Sequence, residues 1–219
     1  PFHHVPRMTW MLTATGARVD LSLADPAQLS ILDIAHSLSQ LNRFTGHCSR
    51  PYSVAEHSLL VVEIMQSQLG VYQPAALLAG LLHDAHEAYT SDLSSPMKLM
   101  LGAEWAVVEA NAQRAVLRRF RSLRTYLDWH RAIKAADLIA LATERRDLLP
   151  ASGPLWPTLA DIEPADWINL RTRDAMTWQD WRQAYLDRFE SLHGAEYPLG
   201  DEPNTTIPAA LLAPAEPEA

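Results

Sequence analysis

The chain has 219 residues, 48% hydrophobic and 20% charged, which is long enough to bury a core and too apolar for an unfolded polymer. A net charge of −8 excludes the basic surface that general nucleic-acid binding needs, yet leaves small anionic ligands open, because these answer to the local field of a site. Cys48 is the sole cysteine, so an internal disulfide is excluded and a reducing, cytoplasmic setting is expected. The longest apolar run, Ala75 to Leu82, is too short for a membrane span, and the polar, histidine-bearing stretch Pro1 to Trp10 does not read as a signal peptide.

Residues 1–24 form an N-terminal segment in which β-branched residues flank Thr15-Gly16-Ala17, the pattern of a small hairpin. A helix is expected to open at Asp25-Pro26, with Asp25 as cap and Gln28 reaching back, and to continue through Leu29, Leu32, Ile34, Ala35, Leu38 and Leu41. Asn42 to Pro51 breaks the periodicity and reads as a loop. Ser53-Val54-Ala55-Glu56 matches a capping box and places His57 in the first turn of a helix that stops at Gly70. Pro74 begins another helix, expected to end near Tyr89, and further helical patterns run from about Ala103 to Phe120 and from about Thr125 to Leu149.

Pro150 and Ser152-Gly153-Pro154 mark a break between a main unit, residues 25–150, and an extension, residues 151–193. Trp156, Trp167, Trp178 and Trp181 concentrate four of the seven tryptophans in that extension. Trp178, Trp181, Tyr185 and Phe189 recur at helical spacing, so one face either docks on the main unit or forms a dimer interface. Residues 194–219, rich in Pro, Ala and acids, read as a disordered tail. The fold class expected is therefore all-α, with a small N-terminal hairpin.

The chemistry is concentrated where apolar helices end in ionisable groups. Leu77-Leu78-Ala79-Gly80-Leu81-Leu82 is nearly all apolar, yet it runs directly into His83, Asp84, His86 and Glu87. Burying such groups is costly unless they pair or hold a cation. Asp137 sits in the similarly apolar setting Ala135-Ala136-Asp137-Leu138-Ile139, and His57 lies at the start of a third helix. Taken singly, His57 reads as a cap or surface residue, and Asp137 as a partner of Arg131 or Lys134 on its own helix. Taken together, two imidazoles and two carboxylates suit one divalent transition ion (Mn, Fe, Co, Ni or Zn) better than Mg. Glu87 follows His83 by four residues and Asp84 by three, and is expected on the same helical flank.

The arrangement His57, His83-Asp84, Asp137 resembles the HD-domain metal-dependent phosphohydrolases. The surrounding words Arg43-Phe44-Thr45-Gly46-His47, Arg50-Pro51-Tyr52-Ser53, His83-Asp84-Ala85-His86-Glu87 and Asp92-Leu93-Ser94-Ser95-Pro96-Met97-Lys98 are similar to the branch of bacterial 5′-deoxynucleotidases and phage-type deoxynucleotide phosphohydrolases. This resemblance covers about Leu29 to Leu149. It implies an HD-type helical bundle, metal ligation by His57, His83, Asp84 and Asp137, and proton handling by Glu87 and Asp92. It further implies phosphate contact by Arg43 and Lys98, with Phe44 following Arg43. His47 and Arg50, on the polar loop after Arg43, are expected to reach a longer phosphate chain. Phe44 stands where the branch pattern has Trp. The partner implied is a nucleotide substrate, mono- or triphosphorylated. A homodimer is the default expectation for a small enzyme, and neither a nucleic-acid polymer nor a membrane is expected. Arg114, Arg118, Arg119, Arg121 and Arg124 form either a solvated helix face or an anion-attracting rim.

Overall fold

A computed structural model describes residues 9–23 and 25–196. The expected tail from residue 197 onward, and the first eight residues of the N-terminal segment, lie outside the described residues. The fold is all-α with one small hairpin, β1 (Trp10–Leu12) paired antiparallel with β2 (Arg18–Asp20). Gly16 takes φ +79 in the connecting turn, a conformation that costs glycine little. Buried Asp33 pins that turn to the body by accepting hydrogen bonds from Thr15 N (2.8 Å) and Thr15 Oγ1 (2.9 Å).

Among the described residues seven α-helices follow: α1 (Ile31–Gln40), α2 (Val54–Ser67), α3 (Pro74–Leu81), α4 (Glu87–Thr90), α5 (Ser95–Arg119), α6 (Leu123–Leu148) and α7 (Trp178–Glu196). The helix expected to open at Asp25 does not. Asp25 caps a single 3₁₀ turn, Pro26–Gln28, and Leu29 is extended. Ser30 then caps α1 through its hydroxyl, and Gln28 accepts from Asp20 N instead of reaching back. Two capping residues compete here, and the one followed by the longer apolar stripe starts the long helix. The Ser53 cap of α2 is as expected, with its hydroxyl accepting from Glu56 N. Glu56 itself turns away to Arg50.

α3 is the central helix, with six of its residues buried against α2, α6 and α7. It is too apolar to tolerate an aqueous face. Gly80 permits close approach to α2, since a Cβ there would stand 2.5 Å from Met65 Sδ. The helix ends at Leu81, not near Tyr89, and residues 82–86 form a turn before the short α4. α5 begins at Ser95, earlier than the sequence pattern suggests, because Gly102 (φ +68) joins two helical pieces across a kink.

The extension lies on the core. Trp181, Tyr185, Phe189 and Leu192 are the buried residues of α7, which packs on α1, α2 and α3. Phe189 meets Phe120 edge-on at 5.2 Å, and Tyr185 donates to Leu81 O at 3.0 Å, bracing the end of α3 just before His83. The α6–α7 connection is tied down by side chains near the end of α6: Thr143 Oγ1 accepts from Ala165 N, and Asp147 Oδ2 from Leu170 N. The helix persists to Glu196, slightly past the expected boundary. In the arginine cluster, Arg119 donates to Leu29 O and Arg124 pairs with exposed Asp128, as on a solvated face. Among the described residues no helix is long and apolar enough to cross a membrane.

Candidate metal centre

Three separate pieces of chain bring the His/Asp set together. α2 supplies His57 in its first turn, the turn after α3 supplies His83 and Asp84, and α6 supplies Asp137. One ligand atom each from His57, His83 and Asp137 lies within 4.8 Å of the others, a group that could hold a metal ion. His57 Nε2 is 3.3 Å from His83 Nε2 and 3.4 Å from Asp137 Oδ1. Asp84 joins them, its Oδ2 lying 3.1 Å from His83 Nε2 and 3.5 Å from His57 Nε2. Such separations match neighbouring donor atoms in a coordination shell about 2 Å in radius. The donor set is mixed imidazole and carboxylate, so the residues fit a borderline divalent ion.

Hydrogen bonds behind the imidazoles aim them. His83 Nδ1 donates to Gly80 O at 2.8 Å, and His57 Nδ1 donates to Glu144 Oε1 at 2.6 Å. A carbonyl and a carboxylate can only accept, so each ring carries its proton on Nδ1 and turns Nε2 toward the centre. Because His83 sits in the turn after α3, its backbone bends enough for Nδ1 to reach Gly80 O three residues back. The expected placement of His83 and Asp84 on a continuous helix is thus corrected: a turn presents them.

Glu144 is the residue that sequence reasoning missed. It is completely buried, and besides His57 it accepts from Tyr52 OH (2.9 Å) and Arg43 Nη2 (3.2 Å). One carboxylate therefore links a ligand of the candidate centre to the arginine beside it. Its signal was present in outline: Glu144 follows Asp137 by seven residues, two turns along the same face of α6. Glu144→Gln keeps the shape but removes the charge that orients and polarises His57. It is expected to weaken Zn²⁺ or Mn²⁺ affinity about 10–100-fold, read by competition with a chromophoric chelator. Unchanged affinity would reduce Glu144 to a packing residue.

The buried charges perturb one another. Burial and Arg43 oppose protonation of His57, but Glu144 and Asp137 outweigh them and push its pKa up to about 9. Burial works against ionised Asp84, yet His83 and then His57 hold its carboxyl well below the usual range. For Asp137 burial is likewise overcome, here by the hydrogen bond and charge of His57. Burial also opposes ionised Glu144, which Arg43 and His57 keep low. All of these shifts express one demand, for positive charge at a point where two acidic side chains and two ring nitrogens meet. Glu87 goes the other way: burial, then Asp84 and Asp92, raise its carboxyl well above the ordinary value. Burial also raises half-buried Asp92, against the pull of Arg43.

The other expected site residues divide into two groups. Arg43 stands at the centre, with Nη1 3.8 Å from Asp84 Oδ2, and its Nε is buried without a hydrogen-bond partner. The backbone just after it is strained, since Phe44 (φ 54), Thr45 (φ 53) and Gly46 (φ 77) are all left-handed. Non-glycine residues hold that conformation at a cost of about 1–3 kcal/mol each, which is typical of functional loops. Phe44 stacks on Trp156 of the extension with centroids 6.0 Å apart. Glu87 is buried with Oε2 unpartnered, and Lys98 reaches toward it, 4.0 Å from Oε1. Its position on a flank shared with His83 and Asp84 is replaced by the start of α4, where Glu87 N donates to Asp84 O.

Arg50 and His47 do not join the centre in the way expected. Arg50 spends its donors on Glu56, Pro51 O and Leu170 O, so it ties the loop to α2 and to the extension. The reason is the buried Glu56 carboxylate, which requires a cation. His47 is exposed on the loop.

The fold and site thus define an all-α protein with a buried histidine–aspartate cluster that could hold a metal ion, braced by Glu144. The chain belongs to one family with the uncharacterized protein YfdR of Escherichia coli K12, to which it is 34% identical over 163 residues, 74% of this chain and 85% of that protein. It is also similar to the uncharacterized protein RCAP_rcc00048 of Rhodobacter capsulatus, 35% identical over 146 residues, 65% of this chain and 74% of that protein. No family model matches the chain.

Proposed function

We propose that this protein is an HD-type, metal-dependent phosphohydrolase acting on nucleotides, with deoxynucleoside 5′-phosphates as the substrate class. The observation that carries the reading is the convergence of His57, His83, Asp84 and Asp137 beside Arg43 and a buried Glu87 whose carboxyl is raised above its ordinary value. His57, His83, Asp84 and Asp137 would hold one divalent transition ion, of the Mn, Fe, Co, Ni or Zn kind. Such an ion, when bound, supplies Lewis acidity that makes water more acidic and polarises a phosphoryl oxygen.

The chain's own residues account for the rest. Arg43, with an unused Nε donor, can neutralise charge gathering on the phosphoryl oxygens. Burial and the neighbouring Asp84 and Asp92 disfavour the Glu87 anion, which suits its carboxyl to protonate the leaving oxygen. Asp92 lies within range of the Arg43 and Asp84 charges, where it can orient the attacking water. A sensor of nucleotides built on the same fold would have no use for a buried acid held in this state.

Two products are open to such a centre: inorganic phosphate from a deoxynucleoside 5′-monophosphate, or tripolyphosphate from a deoxynucleoside triphosphate. A lysine-bearing cleft beside the cluster favours giving the second equal standing. The test is a matrix of Mn²⁺, Co²⁺, Ni²⁺, Fe²⁺ and Zn²⁺ against mono- and triphosphates, with products identified by ion chromatography. Turnover with one metal supports the reading. Tight nucleotide binding with no turnover under any metal would make the protein a sensor.

A further inference from the structure

Arg43 carries a donor that a freely moving side chain would turn to use. Its Nε is buried without a hydrogen-bond partner, while Nη2 donates to Glu144 Oε2 at 3.2 Å and Nη1 lies 3.8 Å from Asp84 Oδ2. A buried donor left idle is costly, so the surroundings must hold the guanidinium in this attitude. On one side the backbone does so, with Arg43 N donating to Tyr52 O at 2.8 Å. On the other side Phe44 and Thr45 run left-handed. Non-glycine residues relax from that conformation unless their contacts fix it.

The contact that fixes it comes from the extension. Thr45, Gly46 and His47 are exposed, so half-buried Phe44 is the side chain that ties this turn to the body. Its ring stacks on Trp156, with centroids 6.0 Å apart and planes inclined by 30°. Trp156 is held in its turn by Arg145, whose guanidinium carbon lies 5.7 Å from the ring centroid. Arg145 is itself fixed, donating from Nη1 to Pro150 O at 2.8 Å and from Nη2 to Gly153 O at 2.9 Å. Glu144 and Arg145 are neighbours on α6. The first therefore grips Arg43 directly, and the second grips it again through Trp156 and Phe44. Both rings are already engaged by each other and by a guanidinium, since Arg43 lies 5.3 Å over Phe44. The stack is built to hold a loop and not to receive a planar ligand.

We infer that Trp156 is a positioning residue for Arg43: stacked on Phe44, it keeps the left-handed turn closed and the guanidinium directed at a bound phosphate. The inference rests on the phosphohydrolase reading for the phosphate at Arg43. It goes beyond that reading by giving the extension, which lies outside the stretch that the resemblance covers, a part in the site.

The test is calorimetric titration of orthophosphate into the protein equilibrated with equimolar Mn²⁺, for Trp156→Ala, Arg43→Ala and the double variant. Trp156→Ala is expected to weaken orthophosphate binding about tenfold, the scale of one lost charge-assisted contact. Its Mn²⁺ content after dialysis should be unchanged. Trp156→Leu, which keeps apolar bulk without a ring, should weaken binding in the same way, while Trp156→Phe should restore most of the affinity. In the Arg43→Ala background, Trp156→Ala should add nothing, because the group it positions is gone. A role in general packing would lower affinity by the same factor in both backgrounds, and that additivity would overturn the inference. So would full orthophosphate affinity in Trp156→Ala when Arg43→Ala has lost it, a result that leaves the phosphohydrolase reading intact. If Arg43→Ala itself binds orthophosphate as the unmodified protein does, Arg43 is not the phosphate contact, and the inference falls together with that part of the reading.

Discussion

Asp137→Asn is expected to leave the protein folded and unable to retain a divalent metal. Asparagine has nearly the shape of aspartate, so α6 keeps its packing, but one of the two carboxylates facing His57 and His83 loses its charge. Neutral amides are poor ligands for a borderline cation compared with carboxylates. The loss should exceed the roughly 10–100-fold expected for a supporting residue such as Glu144. Elemental analysis after dialysis against a weak chelator should find about one metal per chain in the unmodified protein and well under a tenth of that in the variant. The variant also leaves Lys134 without its ion partner, an exposed contact worth little. Far-ultraviolet circular dichroism should therefore be unchanged. Retention of stoichiometric metal by Asp137→Asn would remove α6 from the centre, and with it the proposed chemistry.

Glu87→Gln should do the opposite: keep the metal and lose the reaction. Glu87 is not within the group of atoms that could hold the ion, and its carboxyl is buried with Oε2 unpartnered. Burial first, then the negative neighbours Asp84 and Asp92, raise its pKa, which favours the protonated form as a donor to a leaving oxygen. An amide cannot donate an acidic proton, and general acid–base catalysis of this kind contributes about 10²–10⁴-fold. Turnover of the best nucleotide should fall by that amount with metal content unchanged. The alkaline limb of the pH–rate profile gives an independent reading. A raised Glu87 pKa means that activity requiring its protonated form declines as pH rises through that pKa, and the decline should vanish in Glu87→Gln. Full activity in the variant would take Glu87 out of the mechanism.

How much of this was legible beforehand depends on how local the cause is. The hairpin around Gly16, the Ser53 cap, the Pro74 start and the aromatic stripe of α7 all follow from residues within a few positions of one another. The end of α3 is not legible in the sequence, because nothing local stops a helix between Leu82 and Tyr89. It breaks because His83 satisfies itself on Gly80 O, while the acids beyond it are drawn toward their partners in the fold. The loop position of Arg50 after Arg43 suggests a substrate contact, but buried Glu56 claims it instead.

The sequence by itself determined that two apolar helices carry ionisable residues they could not bury alone, and that histidine and aspartate at those points suit a cation. Spacing along one chain says which face a residue shares, but it carries no information on which faces of distant helices meet. Only the tertiary structure decided that α2, the turn after α3 and α6 converge within a few ångströms. It likewise decided that Glu144 stands behind His57, and that Lys98 and Lys134 line one cleft beside the cluster. The physical reason is that burial of the α3 surface drives those helices together, and the charges near its end must find their partners wherever that packing leaves them.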